Sequence, residues 1–444
     1  MTMHTFAIRA VAMVAVLAIP ITALAQGPAA TAFVNVTVIP MDTQRALAGQ
    51  TVIVQDDRIK AIGPVGHIVV PTGAAKIDGA GKFLIPGLAE MHGHNPPPGA
   101  SDQDVARTYF LYVANGVTFV RSMLGWEGQL ALREKVRRGE LLGPTLYLAG
   151  PSFNGQTATT PAQAIARVRE QKKQGWDLLK VHPGVPRAAY DAMARTAAEL
   201  KIDYAGHVPA DVGLVHAIET GQRTIDHLDG YVEHLGATAS PVDAARLREL
   251  VRLTRAHGTG VVPTMVLWDT IIGAHALATL LEFDELQYMP RAEVAGWTAS
   301  YEQRLAAPGF NAANARQIAA NRRMILKALA DGGAEILFGT DSPQQFSVPG
   351  FSIHREMQAM HAAGMSSYAI LASATRNVAA HIGVPGETGT VAPGAKADLV
   401  LLKGNPLEDI GNVARQAGVM VSGRWLSEDE IAKRLDDIAA SLRQ

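Results

Sequence analysis

Between Phe83 and about Gly383, short apolar runs alternate with longer amphipathic stretches, the pattern of repeated βα units around a parallel sheet. Eight runs read as strands: FLIPGLAEMHGH, GVTFVRSM, TLYLAG, DLLKVH, IDYAGHV, TIDHLD, GVVPTMVL and EILFGTD. Eight units in about three hundred residues match the size of a (β/α)8 TIM barrel. The helix signals agree, since Thr160-Pro161 should open the helix in PAQAIARVREQKKQG and Gly175 should stop it.

The flanks have a different texture. From Thr31 to about Lys82, runs such as AFVNVTVI and QTVIVQDDRIKAIG are punctuated by Gly and Asp, and the texture returns in KADLVLLKG and VMVSGRWL, as in small antiparallel strands with tight turns. The predicted architecture is α/β: a (β/α)8 TIM barrel over 83–383 with a small β-sandwich domain formed from both chain ends, 26–82 and 384–430. A C-terminal helix is expected over 431–444. Residues 1–25 read as an export signal, because Arg9 precedes an apolar run from Ala10 to Leu24 and Ala23-Leu24-Ala25 supplies a small-residue cleavage pattern. The mature chain is then expected to begin near Gln26, in the periplasm or outside the cell, with no stable membrane association.

Composition narrows the chemistry. The 40 basic and 41 acidic side chains nearly cancel, so charge points to neither nucleic acid nor an anionic membrane as partner. A small-molecule substrate fits. Cysteine is absent, which removes disulfides, thiolate nucleophiles and cysteine-based zinc sites. Any metal must be held by histidine, carboxylate or something less usual. A homo-oligomer is expected, although barrel surfaces associate in many ways.

Barrel enzymes carry their chemistry at the C-terminal ends of the strands, and five of the eight runs end in a candidate ligand. They are His92 and His94 on the first, Lys180 on the fourth, His207 on the fifth, His227 on the sixth and Asp341 on the eighth. Residues two apart on a strand share a face, so His92 and His94 can chelate one ion. An ammonium has no lone pair for a cation, so Lys180 becomes a ligand only when its neutral amine is carbamylated by carbon dioxide. Alone, a His-x-His can be a surface coincidence, a buried His a core group and Asp341 a helix cap; together the six positions point to a metal centre.

At these residues the chain resembles the amidohydrolase superfamily, in its branch with a carboxylated lysine and two metals. The split β-rich flanks and the ending GTVAPGAKADLVLL belong to the same resemblance, which covers nearly the whole mature chain. It implies that His92, His94 and Asp341 hold the more buried ion and His207 and His227 the more exposed one, with N6-carboxylysine at Lys180 bridging both. It further implies a hydroxide shared by the ions as nucleophile, Asp341 carrying its proton to the leaving nitrogen, and polarisation of the scissile carbonyl by the exposed ion. One-metal deaminases of the superfamily usually lack the strand-four lysine and carry a glutamate beside the strand-five histidine. Here Lys180 is present and Val208-Pro209 follow His207, which implies amide or peptide-bond hydrolysis. The resembling enzymes are secreted prolidase-like Xaa-Pro dipeptidases, N-acyl amino acid hydrolases and ochratoxin-type amidases, although the spacing between His94 and Lys180 is shorter than in many of them. Zinc suits imidazole and carboxylate ligands, and manganese, cobalt or iron tolerate the same set.

Other residues at strand ends are candidate substrate contacts. The resemblance to dipeptidases suggests Tyr231 as a catalytic donor to the developing oxyanion. Arg121 offers a two-pronged partner for a substrate carboxylate, and His182 shares a face with Lys180. Trp268 and Phe346 are candidate apolar walls, and Asp226 or Asp229 a partner that orients His227. A lactone, cyclic amide or carbamate is the alternative substrate class, and a noncatalytic metal-binding protein the least favoured reading.

Overall fold

A computed structural model describes residues 30–238 and 240–443, so the expected export signal lies outside the described residues. The first five strands are β1 (Thr31–Val38), β2 (Leu47–Gln55), β3 (Arg58–Pro64), β4 (Ala75–Asp78) and β5 (Phe83–Pro86). Seven more follow in the middle of the chain: β6 (Leu88–Gly93), β7 (Val117–Ser122), β8 (Thr145–Leu148), β9 (Leu178–Val181), β10 (Asp203–Gly206), β11 (Thr224–Asp226) and β12 (Gly260–Val262). The last three are β13 (Leu399–Leu402), β14 (Gln416–Val421) and β15 (Arg424–Ser427), before a helix over Glu428–Arg443. No helix among the described residues is long and apolar enough to cross a membrane.

Strands from the two chain ends join in one eight-stranded sheet, in the order β15-β14-β13-β5-β1-β2-β3 with β4 also beside β1. Strand β1 serves β4 with its first residues and β5 with its last two, turning at Asn35, whose φ is 59°. In β13 the alternation of strand side chains sends Leu399 and Leu401 into a small apolar cluster with Phe33, Val52 and Met420. Val400 and Leu402 enter the main core. Both faces are covered, which explains why LVLL is a continuous apolar run instead of an alternating one. The strands of the expected β-sandwich domain are joined by hydrogen bonds into one sheet.

The central strands are parallel, β6-β7-β8 in one sheet and β9-β10-β11-β12 in another. Parallel bridges Ala149–Leu178 and Phe153–Val181 connect them. The eighth run, EILFGTD, is not a regular strand. It makes one parallel bridge, Val261–Ile336, and touches β6 through Met91 N to Phe338 O (2.8 Å) and Asp341 N to His92 O (2.6 Å). Its ladder is interrupted because Phe338 N turns to Ser373 O and Thr340 N to the Glu90 side chain. The predicted helix runs from Pro161 to Gln174, with Thr160 and Gln163 forming a reciprocal cap and Gly175 closing it at φ 89°.

Two predicted strands are divided. GVVPTMVL leaves strand geometry after Val262, and Met265–Ile271 is a helix. FLIPGLAEMHGH is cut at Gly87 into β5 of the end-built sheet and β6 of the central one. Gly87 N donates to Asp398 O and Leu88 N to Gly116 O, so the chain changes partners at that residue. A Cβ on Gly87 would stand 2.1 Å from Thr118 Oγ1. Gly87→Ala should therefore cost about 1–3 kcal/mol, and the double variant with Thr118→Ala should regain most of it; urea unfolding of both variants checks this.

Candidate metal centre

The strand ends bring the predicted ligands together. His94 Nε2 lies 2.6 Å from Asp341 Oδ1 and His92 Nε2 3.6 Å from the same oxygen. His227 Nε2 stands 3.7 Å from Asp341 Oδ2, and Lys180 Nζ 3.3 Å from His92 Nε2. The rings of His207 and His227 are 4.7 Å apart and those of His92 and His227 4.4 Å. The ligand atoms of His92, His94 and Asp341 all lie within 4.8 Å of one another.

The opposite ring nitrogens have partners of their own. His207 Nδ1 is 2.6 Å from Asp229 Oδ2 and His227 Nδ1 is 2.7 Å from Thr264 Oγ1, while His92 Nδ1 lies 2.7 Å from Asp226 Oδ2. The hydrogen bonds of His207 and His227 fix the tautomer and aim the free nitrogen at a metal, whereas the close approach of His92 to Asp226 does not have hydrogen-bond geometry. Asp229 and Asp226, suggested as partners of His227, thus stand beside His207 and His92. Burial and the Lys180 ammonium keep His92 neutral by driving its pKa well below the ordinary imidazole value. Burial likewise lowers the pKa of Lys180, which favours the neutral amine that carbamylation needs. Histidines, a carboxylate and a deprotonatable lysine form a donor set that fits divalent metal ions.

Backbone conformation supports the same place. His227, Leu228, Thr264 and Asp341 have φ of 66°, 56°, 42° and 61°, values that non-glycine residues rarely adopt and that concentrate at functional sites. Arg322, buried on the helix Ala312–Asp331, holds the turns by donating to His227 O (2.5 Å) and Pro263 O (3.0 Å). Gly206 gives Lys180 its room, since a Cβ there would lie 3.0 Å from Lys180 Cδ and 2.5 Å from Val181 O. Glu90, fully buried, accepts from His92 N (2.9 Å), Thr340 N (2.8 Å) and Thr340 Oγ1 (2.6 Å). Burial pushes its carboxyl up to about 8.

The expected substrate contacts divide. His182 stacks on His207 with ring centres 5.1 Å apart, and burial, with Lys180 nearby, keeps it neutral. Trp268 lies 5.6 Å from the His227 ring, and its indole N–H is buried without a partner among the described residues. Three others are placed for different work, which corrects the reading from sequence. Arg121 is 1% exposed and donates to Met91 O, Thr224 Oγ1 and Asp226, so its guanidinium is spent inside the protein. Tyr231 is fully buried with its hydroxyl 2.6 Å from Thr254 Oγ1, a core hydrogen bond. Phe346 packs edge-on against Trp297 and Tyr301 in an apolar cluster. Sequence reasoning passed over Glu90, Thr264, Arg322 and Asn95, whose buried carboxamide beside His94 has no partner at either end among the described residues. Only adjacency to His92 and His94 marked Glu90 and Asn95 in the sequence.

Comparison with known proteins bears on the fold and the family. No curated protein sequence matches the chain. Among solved structures, bottromycin amidohydrolase is similar at a TM-score of 0.74 and 24% identity, over 94% of this chain and 91% of that one. A Xaa-Pro dipeptidase with methionine bound in its active site gives 0.67 and 20% identity, over 90% of this chain and 100% of the other. Ochratoxinase from A. niger gives 0.66 and 18% identity, over 90% and 96%. At these identities the likeness concerns the fold, an α/β fold of TIM-barrel type. The model of the amidohydrolase family matches residues 83–426, a span that begins at β5, ends within β15 and contains all six candidate ligands. The chain belongs to the amidohydrolase family.

Proposed function

We propose that this amidohydrolase cleaves an amide or peptide C–N bond in a small substrate, a dipeptide of the Xaa-Pro type or an N-acyl amino acid. The reaction takes place at a two-metal centre held by His92, His94, His207, His227, Asp341 and a carboxylated Lys180, at the mouth of a closed (β/α)8 barrel. Convergence of ligand atoms carries this reading: His92 and His227 turn Nε2 toward Asp341 while their Nδ1 atoms face Asp226 and Thr264. Similarity of fold to a Xaa-Pro dipeptidase and to bottromycin amidohydrolase supports the choice of bond. The apolar run after Arg9 supports an exported enzyme.

Divalent ions bound here, zinc first among them, supply a water of lowered pKa and polarise a carbonyl. The protein's own groups manage the proton and the geometry. Oδ1 of Asp341 is engaged by His94 and His92, which leaves Oδ2 to take a proton from the attacking water and hand it to the leaving nitrogen. Asp229 and Thr264 hold His207 and His227 in one tautomer. Neutral His182 and the free indole N–H of Trp268 offer hydrogen bonds to the substrate without adding charge.

Zinc-loaded full-length protein should hydrolyse members of a panel of Xaa-Pro dipeptides and N-acyl amino acids in preference to lactones, and turnover of lactones alone would move the assignment to the other substrate class. Asp341→Asn should lower kcat about 10²- to 10⁴-fold with unchanged circular dichroism; a variant as active as the parent removes the proton-transfer role. For Lys180, ¹³C-bicarbonate during metal loading should produce a carbamate resonance that Lys180→Met lacks. A fully loaded, active protein without that resonance excludes the carboxylated lysine.

A further inference from the structure

The helix Met265–Ile271 is capped in an unusual way. A threonine just before a helix ordinarily turns its hydroxyl to the free N–H groups of the first turn. Thr264 occupies that position and its side chain makes no such bond; the hydroxyl lies 2.7 Å from His227 Nδ1 instead. The acceptor for the first turn comes from far along the chain. Glu356, on the helix Ser352–Ala362, takes Met265 N on Oε1 (2.8 Å) and Val266 N on Oε2 (2.9 Å).

This exchange of partners has a geometric reason. Thr264 is fully buried at φ 42° and ψ 57°, a left-handed conformation unfavourable for a β-branched residue and kept only where the surroundings impose it. The residue is pinned on both sides. Arg322 holds Pro263 O before it at 3.0 Å and also donates to His227 O, while Glu356 holds the two amides after it. Glu356 is 1% exposed, and burial pushes its carboxyl up to about 7 against the two amides and Arg322, which favour the charged form. Glutamine has the same shape but a single carboxamide oxygen, so its NH2 would meet one of the two amides donor to donor.

We infer that Glu356 is a positioning residue for the metal centre. By holding the amides of Met265 and Val266 it keeps Thr264 left-handed, and the Thr264 hydroxyl then accepts from His227 Nδ1–H, which leaves the Nε2 lone pair for the ion. Among the described residues Glu356 has no hydrogen bond to a candidate ligand; it acts through Thr264. The inference rests on the proposed role of His227 as a ligand of one ion in a two-metal centre.

Zinc titration of the metal-free full chain against a competing chelator at about pH 8 tests this. Glu356→Gln should weaken one zinc-binding step about ten- to hundredfold and leave the other as in the parent; general loosening of the fold would move both steps or neither. Thr264→Val, which lacks the hydroxyl, should weaken the same step, and Glu356→Gln should add nothing in that background because the two residues act in series. Glu285→Gln is the control. It disturbs the same helix at Arg355, which Glu285 holds through bonds of 2.7 and 2.9 Å, and should bind both ions as the parent does. In the parent the amides of Met265 and Val266 should resist hydrogen exchange, and Glu356→Gln should release them. The inference is overturned by parental zinc affinity in Glu356→Gln, by equal loss at both steps, by additive losses in the double variant, or by the same loss in Glu285→Gln. Exchange of the two amides at an open-loop rate in the parent overturns it without any variant. A parent that takes up fewer than two ions overturns the two-metal reading and this inference with it, whereas two ions and an unaffected Glu356→Gln overturn the inference alone.

Discussion

The site depends on one buried carboxyl group that is not itself among the candidate ligands. Glu90 stands between β6 and the irregular eighth segment and accepts from the backbone of His92 on one side and from Thr340 on the other. Regular parallel strands would join through their main chains at even spacing. Here a side chain takes over part of that role, so the residues before Asp341 need not be extended and Asp341 can adopt its left-handed conformation. The distance between two groups of ligands is thereby set by a glutamate together with the main-chain bonds Met91 N to Phe338 O and Asp341 N to His92 O.

A second internal charge pair sits beneath the ligands. The Arg121 guanidinium reaches Asp226, whose other contact is His92 Nδ1. Breaking one partner of such a buried pair leaves the other uncompensated, so the arrangement holds the imidazole through two linked steps. Thr224 completes it, donating to Asp226 Oδ1 at 2.7 Å. Arg121, Thr224 and Asp226 thus form a buried polar layer behind His92.

Much of this was legible in the sequence because it depends on local rules. Thr160, Gln163 and Gly175 mark their helix by capping chemistry alone, and the ligands sit at the ends of runs whose length and flanks identify strands. Alternation within a strand was enough to pair His92 with His94. What could not be read depends on residues far apart in the chain. Arg121 at a strand end is compatible with a substrate contact until Asp226 is brought beside it, and Tyr231 one turn beyond His227 looks available until Thr254 takes its hydroxyl. The eighth run has strand composition, yet the Glu90 carboxylate competes for its backbone donors. Helix Met265–Ile271 was hidden because Pro263 and a left-handed Thr264 redirect an apolar run whose composition suits either structure.

The sheet shared by the two chain ends has a consequence for the order of assembly. Strand β5 pairs with β1 early in the chain, but its other edge is filled only by β13, after every candidate metal ligand has been made. Until then that edge offers unpaired main-chain groups to any strand that comes near. Its closure is a contact of very long sequence separation, the slow kind. An incomplete chain that stops short of Leu399 would hold the whole ligand set and still lack the partner for the strand that leads directly into His92 and His94. Residues without catalytic chemistry thus act as the final clasp, and the two ends of the polypeptide become one mechanical unit.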